Sequence, residues 1–144
     1  MSLDGAYDPD NIFAKIVRGQ VPSAKVFEDD RVLALMDAFP QSRGYALVVS
    51  KHSRARNLLD VETDVLAELI ATVQRVARAV EAALAPDGIK IIQYNGAPAG
   101  QSVFHLHFHI IPVWSGEPLG AHGGGMADLA ELEVMAKAIA SALP

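Results

Sequence analysis

The stretch FHLHFHIIP, residues 104–112, alternates apolar residues with histidines and decides how this part of the chain folds. Because successive side chains of a β-strand point to opposite faces, His105, His107 and His109 share one face. The residues between them share the other face, and their apolar character marks it as the core side: Phe104, Leu106, Phe108 and Ile110. We therefore predict a strand over residues 103–111, with a row of imidazoles on the face away from the core.

Patterns of apolar residues predict further elements around this strand. Four strand-like segments accompany it: 24–29, 31–37, 44–50 and 90–94. Three helices are expected: a short one from Asp8-Pro9 to about Gly19, a long amphipathic one over 62–85, and a third over roughly 126–142. A glycine-rich loop over 115–125 precedes the last helix. This order predicts an α+β fold with an antiparallel sheet of about five strands, one long central helix, a short N-terminal helix and a C-terminal helix.

The 144 residues indicate one domain with tails, and a hydrophobic content of 51% is enough for a sizeable core. We divide the chain into a flexible N-terminal segment (1–9), the domain (10–113), and a glycine-rich loop with the C-terminal helix (114–144). The formal net charge of −5 argues against a nucleic-acid partner, and no apolar run is long enough for a membrane span. The polar start does not look like a secretory signal, and the absence of cysteine fits a cytoplasmic protein.

Three histidines on one strand face, out of five in the chain, admit three interpretations. They form a polar exposed face, or neighbouring imidazoles bind zinc, or one imidazole is a nucleophile. Zinc is disfavoured because the outer two are about 13 Å apart along a strand that contains neither cysteine nor carboxylate. A nucleophilic imidazole attacks phosphorus with one nitrogen while the other keeps and donates its hydrogen. His107 is best placed for this role because it has an imidazole on each side.

The segment NGAPAGQS, residues 95–102, leads directly into the histidine strand. Its glycine spacing is one residue short of a P-loop, and Gln101 stands where a P-loop needs lysine. Both glycines nevertheless allow a ligand to approach the backbone, and the amides near Gln101, Ser102 and Val103 are candidates for an anion-binding nest. An ordinary turn between two strands is the alternative.

Two segments together resemble the histidine triad (HIT) superfamily, and in particular its bacterial members. They are GQSVFHLHFHIIP, residues 100–112, and NIFAKIVRGQVPSAKVFEDDRVLALMDAFPQSRGYALVVSKH, residues 11–52. The first is similar to the family's signature, His-x-His-x-His with apolar residues between the histidines. The resemblance covers residues 10–113. It implies a HIT-like fold and a homodimer in which strands of both protomers form one extended sheet.

The resemblance also implies hydrolysis or transfer at the α-phosphorus of a nucleotide, usually an adenosine nucleotide. It implies that His107 is the nucleophile and forms a covalent nucleotidyl-histidine, that His109 contacts the phosphate and that His105 supports the site from behind. The implied or candidate substrate-binding residues are Ile12, Phe13 and Ile16 at the base, Asp37 at the ribose, and Asn95, Gly100, Gln101, Ser102 and Val103 at the phosphate. From the residues alone, Asp37 is also readable as a turn residue and Phe13 as a core aromatic.

The sequence departs from the bacterial pattern at a zinc site. Many bacterial relatives hold zinc with two histidines and two cysteines near the start, but residues 11–14 contain no cysteine here. His52 and His105 match the histidine half of that site. Since two ligands do not close a structural zinc site, we predict no metal and no other cofactor. His52 is then either a hydrogen-bond partner of the triad or a surface residue.

We therefore predict a dimeric hydrolase or transferase of purine nucleotides, of the nucleoside phosphoramidase or the dinucleoside polyphosphate hydrolase type. A nucleotide-binding interaction protein with vestigial catalysis and a metal-dependent hydrolase are the competing hypotheses.

Tyr45-Ala46 replaces a His-Thr pair that is common in relatives. Trp114, where the chain leaves the sheet, and His122, in the glycine-rich loop, either contact substrate or have a structural role.

Overall fold

The computed structural model describes residues 3–120 and 125–144. These residues form one five-stranded sheet and three α-helices. The strands are β1 (Lys25–Glu28), β2 (Val32–Met36), β3 (Ala46–Ser50), β4 (Gly88–Ile92) and β5 (His107–Val113), and the helices are α1 (Ile12–Val17), α2 (Thr63–Leu84) and α3 (Leu129–Ala140). The predicted α+β fold, with five antiparallel strands, a long central helix and a shorter helix towards each end, is confirmed.

The strand order is β1-β2-β3-β5-β4, and every neighbouring pair is antiparallel. The chain leaves β3, passes through α2 and returns as β4, which leaves a gap that β5 fills. In the β3–β5 register Leu47 lies opposite His109 and Val49 lies opposite His107. Directly opposed residues share a face of the sheet, so alternate residues of β3 lie beside the histidines.

Both faces of the sheet are covered by apolar side chains. On one face α2 packs against β2, β3 and β5 and α3 packs against β1 and β2, and Leu106, Phe108 and Ile110 belong to the core between them. On the other face a second cluster forms under α1: Phe13, Ile16, Leu33, Leu35, Tyr45, Leu47, Val49 and Ile111. The expectation that the histidines lie away from the core was therefore wrong. His107 and His109 are 8% and 3% exposed, because α1 covers the face on which they lie.

β5 begins at His107, later than predicted, because β3, the strand that it pairs with, ends at this level of the sheet. β3 stops at Ser50, so the pair Val49–His107 is the last one between these strands. Residues 103–105, which have no strand to pair with at this point, form a bend instead. His105 thus precedes the strand that carries the other two histidines.

α1 also begins later than predicted, at Ile12, because Asn11 rather than Asp8 is its cap. The Asn11 side chain accepts a hydrogen bond from the Ala14 amide at 3.0 Å, which satisfies one of the amides at the start of the helix. Residues 1–9 were expected to form a flexible segment. The described part of it, residues 3–9, makes specific contacts with the domain.

The end of α2 packs closely against the start of β3. Gly44, just before β3, has φ +82°, and a Cβ atom at this position would collide with the Leu84 side chain. Ala85 ends α2 in the left-handed conformation, with φ 49°. Glycine is therefore required at residue 44 for two reasons: the positive φ, and the lack of space for a Cβ atom beside Leu84.

Of the helices in the described residues, none is both long and apolar enough to cross a membrane. α3 lies within the predicted range 126–142. Residues 121–124, with His122 and part of the predicted glycine-rich loop, lie outside the described residues.

Candidate active site

A cavity of about 460 Å³ opens on the face of the sheet that α1 covers, a size typical of small-molecule sites. α1 forms one wall, the end of β2 and the following turn form another, and β5 contributes histidines. Most of the lining is apolar. The cavity brings together eight of the predicted site residues: Ile12, Phe13, Ile16, Asp37, Ser102, Val103, His107 and His109.

His107 is oriented by a carbonyl group two residues upstream. Its Nδ1 lies 2.7 Å from the carbonyl oxygen of His105, and since a carbonyl can only accept, Nδ1 carries the hydrogen. In the neutral imidazole the lone pair then lies on Nε2, as a nucleophilic ring requires. Phe13 packs edge-on against His107, with 4.7 Å between ring centroids. The site therefore holds one defined nucleophilic nitrogen in apolar surroundings.

His105 lies behind His107, outside the residues that line the cavity. Its Nε2 donates to the Ser50 carbonyl oxygen at 2.9 Å, and its Nδ1 lies 2.8 Å from the Tyr7 hydroxyl. Burial lowers the pKa of His105, although the bond to Ser50 opposes this shift, and the neutral ring is favoured. A neutral imidazole bonded at both nitrogens keeps a single orientation.

His109 shares a hydrogen bond with Tyr45, whose hydroxyl lies 2.6 Å from His109 Nδ1. Tyr45 is 1% exposed. Burial in the first place, and then the negative charge of Asp37, raises the pKa of Tyr45, so its hydroxyl keeps its proton. The ring centroids of His107 and His109 are 4.8 Å apart. Tyr45, which the sequence marked as a departure from relatives, is therefore a direct partner of the triad.

Asp37 follows β2 and lies on the histidine face, because it shares the parity of Leu33 and Leu35. Its Oδ1 accepts a hydrogen bond from the Phe39 amide at 2.8 Å, which is the turn role suggested by the residues alone. Asp37 also lines the cavity. A carboxylate has about four acceptor positions, so the turn bond and a ribose contact are compatible.

Gln101 holds the loop of residues 95–102 together from inside. Its Oε1 accepts from the Gly96 amide at 2.9 Å, and its Nε2 donates to the carbonyl oxygens of Arg56 at 2.6 Å and Val103 at 3.1 Å. The Gln101 amide itself donates to the Gly96 carbonyl oxygen. In this structure Gln101 therefore shapes the loop and lies outside the cavity lining.

Of the other predicted phosphate-binding residues, some line the cavity and some only shape the loop. Asn95 accepts a hydrogen bond from the Leu58 amide at 2.9 Å and lies outside the lining. Gly100 has φ +118° and packs against the Tyr94 ring, where a Cβ would lie 3.2 Å from ring atoms. Ser102 is exposed and does line the cavity, as does its neighbour Val103.

The residues present do not fit the zinc site that the resemblance implies for bacterial relatives. His52 is exposed, and its Nε2 donates to the Asp30 carbonyl oxygen at 2.7 Å. His105 already has protein partners at both nitrogens. Within residues 3–120 and 125–144, no three His, Cys, Asp or Glu side chains are grouped so that they could hold a metal ion. His52 is thus placed as a surface residue.

Two parts of the cavity wall were not predicted from the sequence. Leu129 and Leu132 of α3 line it, and so does Ser23, whose buried Oγ makes no hydrogen bond within the described residues. An apolar helix face is visible in a sequence, but the surface that it contacts is not. Trp114 lies elsewhere, 4.5 Å below the Arg43 guanidinium, at a separate hollow of about 220 Å³.

The antiparallel α+β fold and the oriented histidines define a histidine triad domain, and comparisons with known proteins agree. The family model for the HIT domain matches residues 18–115. The crystal structure of a HIT-like protein of Bartonella henselae, described as involved in cell-cycle regulation, matches with a TM-score of 0.91 and 46% sequence identity. That match covers 96% of this chain and 100% of the other. The chain therefore belongs to the histidine triad family.

Two relatives are enzymes by name. An adenosine 5′-monophosphoramidase of Schizosaccharomyces pombe is 38% identical over 101 residues, which are 70% of this chain and 72% of the relative. An adenylylsulfatase of Arabidopsis thaliana is 35% identical over 119 residues, which are 78% of this chain and 60% of the relative. The relatives of this chain thus include named nucleotide hydrolases.

Proposed function

We propose that this protein is a hydrolase or transferase that acts at the α-phosphorus of a purine nucleotide, most simply an adenosine nucleotide, through a nucleotidyl-histidine on His107. The main support for this proposal is the tautomer of His107. Its Nδ1 donates to the carbonyl oxygen of His105, so the neutral ring keeps its lone pair on Nε2 at the cavity wall. Nucleophilic attack by imidazole requires this arrangement.

The reaction proceeds in two displacements. Nε2 of His107 attacks the α-phosphorus, the N–P bond forms, and the bond from phosphorus to the leaving group breaks, its electron pair going to the leaving group, which takes up a proton from solvent. Nδ1–H stays bonded to the carbonyl oxygen of His105, which stabilises the positive ring. Water then attacks phosphorus, the N–P bond breaks, and the nucleoside monophosphate and one proton leave. Each displacement has a lower barrier than a direct hydrolysis.

The remaining walls suit the other parts of a purine nucleotide. The apolar face of α1 offers a surface for the base, and the Asp37 carboxylate accepts hydrogen bonds from ribose hydroxyls. His109 and the Ser102 hydroxyl supply polar groups where charge grows on the phosphate oxygens. The names of the two enzyme relatives support an adenosine substrate.

The proposal is tested by a side-by-side turnover assay without added metal. An adenosine phosphoramidate and a diadenosine polyphosphate are offered to the wild type, to His107→Ala and to His52→Ala, a control at an exposed histidine outside the cavity. We expect the wild type and His52→Ala to cleave at least one probe and His107→Ala to cleave neither, while all three bind AMP. The preferred probe then separates a phosphoramidase from a dinucleoside polyphosphate hydrolase.

Two results would overturn this assignment. Turnover by His107→Ala would remove His107 as the nucleophile. Tight AMP binding by a wild type that cleaves neither probe would instead identify a nucleotide-binding interaction protein whose catalysis is vestigial.

We further propose that the protein works as a cytoplasmic homodimer in which β4 strands of two protomers pair into one sheet. β4 is one edge of the sheet, and its Ile91 is 46% exposed. Ile70 on α2 is 47% exposed as well. The other edge, β1, carries two exposed charges, Lys25 and Glu28, where β4 carries one, Lys90, and charges on an edge strand oppose pairing. These features favour β4 as the shared edge.

A further inference from the structure

Tyr7 connects the N-terminal segment with the triad. Its hydroxyl lies 2.8 Å from Nδ1 of His105, although the two residues are 98 positions apart in the sequence. The Arg54 guanidinium lies 5.5 Å from the centroid of the Tyr7 ring. In the same segment, the Leu3 carbonyl oxygen accepts a hydrogen bond from Asn57 Nδ2 at 3.1 Å. Two separate hydrogen bonds thus hold residues 3–7 against the domain.

The direction of the Tyr7 bond follows from the other side of the imidazole. Nε2 of His105 must donate, because Ser50 offers it a carbonyl oxygen. In the neutral ring Nδ1 is then an acceptor, so the Tyr7 hydroxyl donates to it. His105 is 2% exposed with Tyr7 in place, so the Tyr7 hydroxyl occupies the position at Nδ1 that water would otherwise fill. Tyr7 and Ser50 clamp the ring from its two ends.

His105 depends on this clamp because it lies before β5 and has no neighbouring strand. The next residue, Leu106, is tied by its amide to the Ala55 carbonyl oxygen at 3.0 Å. The carbonyl oxygen of His105 is in turn the acceptor for Nδ1–H of His107. A displacement of His105 therefore moves the group that sets the tautomer of His107.

We propose that Tyr7 is a positioning residue of the triad: its hydroxyl holds His105 and, through the carbonyl group of His105, keeps His107 in the Nδ1–H tautomer. The catalytic part of this inference rests on the proposed role of His107. The histidine that matches a zinc ligand in bacterial relatives is here held by a phenol from the chain's own N-terminal segment. The triad is thus ordered by protein groups at both nitrogens of that histidine.

The test is Tyr7→Phe, which removes the hydroxyl and keeps the ring. We expect kcat for the preferred adenosine probe to fall about tenfold, since small displacements of a reacting group are costly, while KM stays within about twofold. Nitrogen-15 NMR of histidine-labelled protein at neutral pH supplies a readout that mere loss of stability does not move. The wild type should show His107 as the Nδ1–H tautomer and His105 as the Nε2–H tautomer. In Tyr7→Phe, His107 should populate both tautomers.

Arg54→Ala is the matched control, because it removes the cation next to the Tyr7 ring and keeps the hydroxyl. It should retain the wild-type kcat and the wild-type His107 spectrum. Unchanged kcat and an unchanged His107 tautomer in folded Tyr7→Phe would overturn the proposal. A protonated Nδ1 on His105 in the wild type would overturn it without any variant. If the wild type cleaves neither probe, the proposed function fails, and the His107 spectrum still decides the positioning role.

Discussion

At the scale of single residues, the partner of each imidazole decides what that ring can do. His107 bonds to a backbone carbonyl, His109 to the Tyr45 hydroxyl, and His105 to a carbonyl and the Tyr7 hydroxyl. The alternation of the sequence predicts the row of histidines, because side-chain direction is a local property of a strand. It does not reveal the two tyrosines, which lie 64 and 98 positions away from their partners.

One prediction at this scale concerns ribose binding by Asp37. Asp37→Asn keeps an oxygen that can accept from the Phe39 amide but removes the charge. A hydrogen bond to a charged group is worth about 1.5–3 kcal/mol, so KM for an adenosine probe should rise about tenfold or more. Steady-state kinetics of wild type and variant measure this change.

The control for Asp37→Asn is the same probe with 2′-deoxyribose. If Asp37 holds the ribose hydroxyls, Asp37→Asn should raise KM much less for the deoxy probe than for the ribose probe. An equal change in KM for both probes, or none for either, would take Asp37 out of ribose binding.

At the scale of secondary-structure elements, the types were predictable and several ends were not. The predicted strand included His105 because the apolar–polar alternation already begins at Phe104. β5 nevertheless begins at His107, since β3 ends at Ser50 and a strand needs a neighbour to satisfy its backbone. The β3–β5 register also explains Tyr45: it shares the parity of Leu47, which lies opposite His109.

The contact between α2 and β3 gives a stability prediction. In Gly44→Ala the new Cβ meets the Leu84 side chain at a positive φ. Strained backbone costs about 1–3 kcal/mol, and moving the half-buried Leu84 side chain out of its rotamer costs about 0.5–1.5 kcal/mol more. We expect the free energy of unfolding to fall by both contributions in urea denaturation.

Gly19→Ala separates these two contributions. Gly19 has a similar φ of +78°, but a Cβ there meets no atom within 4 Å. In Gly19→Ala the free energy of unfolding should therefore fall only by the cost of backbone strain, which is a smaller loss than in Gly44→Ala. Equal losses in the two variants would show that contact with Leu84 does not matter.

At the scale of the whole molecule, the cavity is assembled from segments that no local pattern relates. Ile12 and Leu132 both line it, yet they lie at opposite ends of the chain. The composition and the order of elements were enough to predict the fold class, because strands with short turns and one long helix restrict the topology. The apolar wall from α3 was not predictable, since it depends on how the last helix packs across the sheet.

The proposed dimer is tested by the mass of the protein in solution. Ile91→Lys places a charge on the exposed face of β4, and burying an unpaired charge in an interface is costly. Light scattering after size exclusion should give twice the chain mass for the wild type and the chain mass for Ile91→Lys. Val134→Lys, at a 70% exposed position of α3, is the control and should remain dimeric. A wild type with the mass of a single 15.3 kDa chain would contradict the dimer.

The central claim is a covalent bond between His107 and the α-phosphorus, and one measurement addresses it directly. The wild type is mixed with an adenosine phosphoramidate, quenched in denaturing alkali to preserve an N–P bond, and mapped by peptide mass spectrometry. The account predicts one adenylyl group on the peptide with His107, fragmentation that assigns it to that ring, and no adduct in His107→Ala. An adenylyl group on another residue, or full turnover with inversion of configuration at phosphorus, would contradict it.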